Sequence, residues 1–368
     1  MSESKHLTHR PVGLAVLGAG RIGTTRARVA SVYPGSRVVA VADLSVDRAV
    51  GLANDVGAEL STDDIARAVA HPGVDAVLVA TPEHTHTPMV LAALAAGKPV
   101  MCDTPMALNA ADAAKMIEAS ESLGVPLCFA YTQRFQRQWQ VAKENIQRGA
   151  LGRILGGTVR VYNSRAQAFQ ILKRCPQVTP IVDVLTYWID MVCWFMQDNR
   201  VVEVYARGNG EVFRGAGYDM DDLAWAILTF ADGAVVSAGI AYALPEHYPT
   251  LGQSPRLELV GTRGVLNFED EHKNHFLYSE QGALHGYVPN HAVKAAFLGS
   301  SSYGDWAQGT FWGPLADETR AFVEFIRTGN RSTIPFAEEA RRTLEITLAI
   351  EESARTRHSV TLPLAITR

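Results

Sequence analysis

From Val12 to Ala130 short apolar runs alternate with amphipathic stretches. Val12–Leu17, Val38–Ala42, Val74–Ala80, Pro99–Cys102 and Leu127–Ala130 are apolar at consecutive positions, as strands buried on both faces are. Between them, Thr24–Ser31, Val46–Val56, Thr62–Ala70, Pro88–Ala96 and Ala110–Leu123 carry apolar residues at helical spacing. Gly57 and Gly97 close two of these helices, and Ser61 or Thr62 is placed to cap a third. Alternation of this kind predicts a parallel sheet wound on both sides by helices.

Near Tyr131 the pattern changes. A helix is expected over Gln138–Arg148, ending at Gly149. Strand-like runs then follow one another: Ile154–Tyr162, Val201–Arg207, Leu223–Phe230, Ala234–Ala243, Leu257–Val260, Val265–Phe268 and Phe276–Tyr278. Asp232-Gly233 between two of them is a hairpin signal. One apolar helix, Ile181–Met196, interrupts the series, and Leu315–Thr328 and Phe336–Arg357 are helical at the end. Gly282–Gly313 reads as a long irregular segment, functional or disordered. The expectation is two domains: residues 1–131 α/β with a parallel sheet, and residues 132–368 α+β with an open, mainly antiparallel sheet that binds substrate and forms oligomers.

The chain of 368 residues, 47% hydrophobic and 20% charged, is long enough to bury sizeable cores. Its formal net charge of −4, with no basic stripe, gives no footprint for nucleic acid. Cys102, Cys128, Cys175 and Cys193 are scattered and form no C-x-x-C, so reduced, buried thiols are expected. The polar start, Met1 to Pro11, has no apolar core of a signal peptide, and no apolar run reaches the length of a membrane span. A soluble cytoplasmic protein is expected.

The strongest chemical signal is Gly18-Ala19-Gly20-Arg21-Ile22-Gly23, between the first strand and the first helix. The first glycine permits a tight turn, the second lets backbone approach a pyrophosphate, and the third lets helix pack on strand. The helix N-terminus supplies positive potential for the phosphates. Asp43, twenty residues past Gly23, ends the second strand. A carboxylate there hydrogen-bonds a ribose 2′-OH and repels a 2′-phosphate, which points to NAD rather than NADP. Gly18, Gly20, Arg21, Ile22, Gly23 and Asp43 are therefore candidate cofactor-binding residues of a Rossmann domain.

With Ala80–His86, Ala96–Pro105, Tyr131–Phe135, the helix beginning Val182-Asp183 and the terminal Glu352–Arg355, this arrangement resembles the Gfo/Idh/MocA oxidoreductases. The resemblance runs from about Val12 to Leu362. It implies hydride transfer between a nicotinamide and a secondary alcohol or its ketone, on a sugar, nucleotide sugar or cyclitol. It also implies a lysine in a C-E-K-P motif and an aspartate and histidine four residues apart on a helix of the second domain. Here Thr104 stands for the lysine in Cys102-Asp103-Thr104-Pro105 and Tyr187 for the histidine, while the aspartate is kept as Asp183. Lys98 belongs to a separate A-G-K segment of the family and does not fill the gap.

Asp183, Tyr187 and Asp190 share one helical face by spacing. Two acids and a phenol are costly to bury unless paired or functional. A phenol does acid/base work only beside a cation that lowers its pKa from about 10, and Lys173 or Arg174 can be that cation. Tyr187, Asp183, Lys173 and Thr104 are the candidate catalytic residues. Core packing is the alternative for Tyr187, an N-cap for Asp183, a turn cap for Thr104 and a solvated surface for Lys173. Thr81, Pro82, His86, Asp103 and Arg134 are candidates beside the cofactor, with a capping role for His86 and a salt bridge for Arg134 as alternatives. Tyr162, Asn163 and Arg165, at the end of the second domain's first strand, are candidates for the substrate pocket together with Tyr131 and Asp190. His84 and His86 lack a third ligand nearby, so no metal is expected.

The reading is an NAD-dependent oxidoreductase of a polyhydroxylated small molecule. An imine or conjugated-carbonyl reductase and a non-catalytic NAD- or sugar-sensing protein are the alternatives, with a redox-neutral glycosidase behind them. An open sheet with one uncovered face calls for a partner, so a homodimer or homotetramer is expected.

Overall fold

The computed structural model describes residues 10–247, 253–269, 276–284, 292–297, 304–307, 309–331 and 333–364. The chain divides into two compact units, one built from residues 1–135 and 303–341, the other from 136–302 and 342–368. Residues 303–341 thus group with the dinucleotide-binding half, where the sequence pattern alone had placed them in the second domain.

The first unit runs β1 (Val12–Leu17), α1 (Arg21–Val32), β2 (Ser36–Ala42), α2 (Val46–Val56), β3 (Leu60–Thr62), α3 (Ile65–Val69), β4 (Ala76–Val79), α4 (His86–Ala95), β5 (Val100–Asp103), α5 (Ala110–Leu123) and β6 (Leu127–Ala130). All pairings are parallel, in the order β3-β2-β1-β4-β5-β6. The order reverses between β1 and β4, where open α/β sheets bind their ligands, beyond the strands' carboxyl ends. Val12, Leu14, Val16, Val38, Val41, Ala76, Leu78 and Met101 form the core with Ala27 and Ala30 of α1. The segment expected as one helix over Thr62–Ala70 is instead β3, a turn and α3. Asp64 is the cap, its Oδ1 accepting from the Arg67 N–H at 3.1 Å.

Arg26 of α1 is buried within this unit, and two carboxylates meet it. Its Nη2 lies 2.8 Å from Asp103 Oδ1, at the end of β5, and 2.9 Å from Glu318 Oε2. Glu318 stands on α10 (Pro314–Thr328). Arg26 Nη1 donates to Thr319 Oγ1 at 3.0 Å, and Thr132 Oγ1 donates to Glu318 Oε2 at 2.7 Å. Burial alone would lower the arginine's pKa, but the two carboxylates outweigh it and raise the value. Burial raises that of Glu318 despite the guanidinium.

The second unit begins with α6 (Arg137–Gln147), β7 (Ile154–Ser164) and α7 (Arg165–Arg174). A π-turn at Ile181–Leu185 leads into α8 (Thr186–Met196). Then come β8 (Val201–Asn209), α9 (Glu211–Gly215), β9 (Leu223–Phe230), β10 (Val235–Leu244), β11 (Ser254–Gly261) and β12 (Val265–Glu269). The strands form one sheet in the order β12-β11-β7-β10-β9-β8-β17. It is antiparallel except where β10 runs parallel to β7. β13 (Phe276–Leu284), which opens on the strand expected over Phe276–Tyr278, pairs with β14 (Ala292–Phe297), and in the first unit β15 (Asp305–Ala307) pairs with β16 (Thr310–Trp312); β14, β15 and β16 lie in the stretch expected to be irregular. The rest of Gly282–Gly313 falls largely outside the described residues. α11 (Ala337–Thr356) and β17 (Val360–Thr361), which pairs with the edge strand β8, close the chain.

Inward-facing Val159, Val161, Ala226, Leu228, Val236, Ala238 and Ile240 pack with Trp188, Ile189, Val192 and Phe195 of α8. The other face alternates with these, and Tyr205, Trp225 and Ile227 are exposed there. α7 was not expected from the sequence, and the helix expected over Ile181–Met196 is α-helical only from Thr186. All four cysteines are buried and free. Among the described residues no helix is long and apolar enough to cross a membrane.

Removing Arg26 would strand two carboxylates in the interior. Arg26→Met is expected to destabilise the first unit by about 3–5 kcal/mol, read as an earlier urea transition. Arg28→Met, which breaks the exposed pair with Asp55, should cost under about 1 kcal/mol. Equal effects from the two variants would refute the central role of Arg26.

Candidate functional site

At the carboxyl end of β1 the chain turns through Gly18, whose φ is +98°. A Cβ on Gly18 would stand 2.5 Å from the Ala80 carbonyl oxygen, and one on Gly23 would stand 1.8 Å from that of Gly18. Backbone packing therefore requires both glycines. Gly20 is different. It precedes α1, it is exposed, and no atom lies within 4 Å of where its Cβ would be. The fold does not need a glycine there, whereas a ligand lying against the backbone does. No side chain caps α1 and its first turn bears no acid, so its positive end faces this space. Arg21 is exposed and Ile22 half-buried at its edge.

Asp43 follows β2 and is 8% exposed. Its Oδ2 accepts from the Ala19 N–H at 2.8 Å, which ties this carboxylate to the glycine turn. Its Oδ1 accepts from the Ser45 N–H at 2.8 Å and from Arg48 Nη2 at 2.7 Å. Burial alone would raise its pKa. The hydrogen bonds from Ser45, Arg48 and Ala19 outweigh burial and hold the carboxyl below its ordinary range. The open glycine cradle, the uncapped helix start and the charged Asp43 fit a dinucleotide with a free ribose diol.

The remaining candidates of the first unit divide into exposed and engaged groups. Thr81 and Pro82 form the half-buried turn after β4. His86 is buried, with Nδ1 2.9 Å from the Pro105 carbonyl and Nε2 3.0 Å from that of Thr81. Both ring nitrogens are taken by backbone, so His86 clamps the turn after β4 to the turn after β5 rather than facing a cofactor. Asp103 Oδ1 is held by Arg26. Thr104, where the family's lysine would be, is buried, and its Oγ1 has no hydrogen-bond partner among the described residues. Arg134 is buried and paired with Glu339 Oε1 at 2.8 Å, the salt bridge that stood as its alternative. Tyr131 is buried in the core region.

In the second unit Asp183 sits in the π-turn before α8, so the helix there is not the regular one that the spacing argument assumed. π-turns of this kind are frequent at functional sites. Asp183 accepts a hydrogen bond from the Tyr242 hydroxyl, on β10. Tyr242 is fully buried, and burial, then the charge of Asp183 and its hydrogen bond, push its pKa well above the ordinary value. Tyr187 and Arg174 act on Tyr242 electrostatically, with opposite signs. Tyr187 itself is half-buried at the start of α8. Lys173 and Arg174 both lie exposed on the last turn of α7, and the charge of Arg174 reaches Tyr242.

Asn163, near the end of β7, is completely buried, and neither its Nδ2 nor its Oδ1 has a partner among the described residues. Ser164 Oγ and Gln167 Oε1 are likewise unpartnered. Strand alternation sends Tyr162 to the other face, where the Arg160 guanidinium lies 4.4 Å from its ring. Arg165 donates to the carbonyls of Ala243 at 2.8 Å and Leu244 at 3.3 Å, tying α7 to β10. Asp190 is buried within the core. Tyr162 is thus separated from Asn163 by the strand's two faces, while Asn163 and Asp190 are both buried. Among the described residues no cluster of His, Cys, Asp and Glu is arranged to hold a metal ion.

Sequence reasoning did not single out Tyr242, Arg26 or Arg48. Tyr242 lies inside an apolar strand run and Arg26 inside a helix, so neither stands out. Arg48 carried a usable signal, since it lies five residues past Asp43 in the first turn of a helix.

Residues 12–131 match the family model described as an oxidoreductase family with an NAD-binding Rossmann fold, and residues 139–267 match the GFO/IDH/MocA C-terminal domain. The chain is 24% identical over 360 residues to myo-inositol 2-dehydrogenase of Thermotoga maritima, an alignment that spans 95% of this chain and 98% of the relative. It is 32% identical over 262 residues to inositol 2-dehydrogenase of Rubrobacter xylanophilus, spanning 69% and 70%. Among solved structures it resembles GenD2 from gentamicin A biosynthesis in complex with NAD, with TM-score 0.79, 21% identity and 97% and 98% of the two chains covered. It also resembles scyllo-inositol dehydrogenase from Lactobacillus casei with bound NAD(H) and scyllo-inositol, with TM-score 0.75, 19% identity and 95% and 99% covered. With its glycine turn and both family domains in place, the chain belongs to the Gfo/Idh/MocA family and is an NAD-dependent oxidoreductase acting on CH–OH groups.

Proposed function

We propose that this protein oxidises a ring hydroxyl of a cyclitol or a closely similar sugar with NAD, and that Tyr187 and Asp183 handle the hydroxyl proton. The observation that carries this reading is the Asp183–Tyr242 hydrogen bond beside Tyr187. Relatives named as inositol dehydrogenases support the substrate class.

The bound nicotinamide supplies the hydride acceptor. The chain must take up the proton that leaves the hydroxyl as hydride departs. Two phenols neighbour Asp183, and they are not equivalent. Tyr242 is buried and its raised pKa keeps it protonated, so it serves as a fixed donor that orients the Asp183 carboxylate. Proton transfer then falls to Tyr187, which is partly open, with Asp183 as the anion behind it. Tyr187 passes its own proton to the Asp183 carboxylate as it takes up that of the hydroxyl. Thr104 carries no charge, but its orphaned Oγ1 can hydrogen-bond a hydroxyl. The buried amide of Asn163 offers two donors and two acceptor sites, which suits a neutral polyol rather than an ionic substrate.

The outer face of the second unit's sheet supports a homo-oligomer. Tyr205, Trp225 and Ile227 are exposed side by side on β8 and β9, and a second copy of this face would cover them.

NADH formation with a panel of inositol isomers and hexoses tests the substrate class. Turnover of a cyclitol is expected, whereas NAD binding with no turnover of any polyol would favour a sensing role. Tyr187→Phe is expected to lower kcat by about 10²- to 10⁴-fold, and Asn163→Ala to raise KM about tenfold. A Tyr187→Phe enzyme at full rate would remove Tyr187 from the mechanism. In light scattering, Ile227→Lys is expected to shift the protein toward monomer, and an unchanged mass would place the interface elsewhere.

A further inference from the structure

The Asp43 carboxylate has more donors than a ribose acceptor needs. Oδ2 takes the Ala19 N–H, while Oδ1 takes the Ser45 N–H at 2.8 Å together with Arg48 Nη2 at 2.7 Å and Nε at 3.2 Å. Arg48 reaches this position because α2 starts beside Asp43. Ser45 caps the helix, its Oγ accepting from the Arg48 N–H at 3.5 Å, so the arginine stands in the first turn above the carboxylate. The side chains differ in setting. That of Asp43 is 8% exposed and that of Arg48 is 61% exposed. The ion pair is therefore a fixed, buried anion covered by a cation on the rim.

A carboxylate has about four lone-pair sites, and the donors around Oδ1 already fill its share. A ribose diol brings two hydroxyl donors. One fits the free site on Oδ2, and the other must displace Arg48 from Oδ1. The arginine is exposed and needs only a rotamer change to give way, and its tether keeps the guanidinium near the ribose. That is where a 2′-phosphate would lie. A carboxylate at this place repels such a phosphate and a nearby arginine accommodates it. Here both groups serve one position.

We propose that Arg48 is a second determinant of cofactor choice: it offsets the charge of Asp43 and gives a 2′-phosphate a bidentate partner, so the protein binds NADP as well as NAD and the Asp43–Arg48 pair sets the ratio. The pair is neutral as a unit. Without Arg48 the position is anionic, and without the Asp43 charge it is cationic. Affinity for a 2′-phosphate must then fall in the order Asp43→Asn, wild type, Arg48→Gln. Charge acts through partly exposed groups, so added salt must narrow the spread.

The test is calorimetric titration of the full-length protein with 5′-AMP and 2′,5′-ADP, then with NAD and NADP. The quantity read is the ratio of the two Kd values in each pair. Arg48→Gln is expected to raise the ratio against the 2′-phosphate by about ten- to hundredfold, as loss of a charge-assisted bidentate contact does. Arg48→Lys is expected to restore part of it, and Asp43→Asn to lower the ratio below wild type. The ratio is insensitive to partial misfolding, which weakens both ligands alike. A ratio unchanged in Arg48→Gln overturns the proposal. So does a shift of Arg48→Gln and Asp43→Asn in the same direction.

Discussion

One guanidinium, that of Arg26, lies where α1, the end of β5, the turn at Thr132 and α10 converge. Desolvating it is unfavourable by itself, and the two carboxylates that meet it would be worse alone. Together they form a cluster that assembles only when all four segments are in place. The functional parts depend on this arrangement. α1 must seat on the sheet for Gly23 to touch Gly18, and β5 must end where Asp103 meets Arg26. The mixed charge set thus acts less as a source of stability than as a register mark for the elements around the cofactor.

Each unit separates groups that hold backbone from groups left open to a ligand. In the first, Gly18, Gly23, His86 and Arg26 are committed to the fold, while Gly20, Thr104 and one lone pair of Asp43 are not. In the second, Arg165 is committed, while the side-chain amide of Asn163 has no partner among the described residues. In the proposed reaction the proton passes to a phenol backed by a carboxylate, and the fully buried Tyr242 donates to that carboxylate.

The parallel half was legible because each of its signals is local. Consecutive apolar residues, a glycine turn and an acid at the next strand's end fall within short windows, and β1, α2, α5 and β6 lie where the pattern puts them. What escaped notice depends on distance or on subtle backbone geometry. Glu318 is far from Arg26 in sequence, so no window contains both. α7 begins at the last residue of a strand and shows no cap of its own, as Ser164 makes no capping hydrogen bond. The π-turn leaves the apolar pattern of Ile181–Met196 intact and changes only the ladder beneath it. Tyr162 and Asn163 were grouped as neighbours, although strand alternation sends them to opposite faces. Arg134 and His86 are the right residue types in the right places, and only their partners show that backbone and salt bridge already occupy them.

The first unit is discontinuous in the chain, and this bears on how the protein is made. When residues 1–135 have left the ribosome, the sheet and its helices are complete, but Glu318 and Thr319 have not yet been synthesised. Until they are, Arg26 sits among apolar neighbours with Asp103 as its acidic partner, and the surface that α10 will cover stays open. Domains usually fold as they emerge. This one must wait for the whole intervening unit before its own last helix arrives, and contacts closed over so long a span form slowly. The cofactor-binding half is then finished among the last parts of the molecule, although its strands and glycines are among the first to appear.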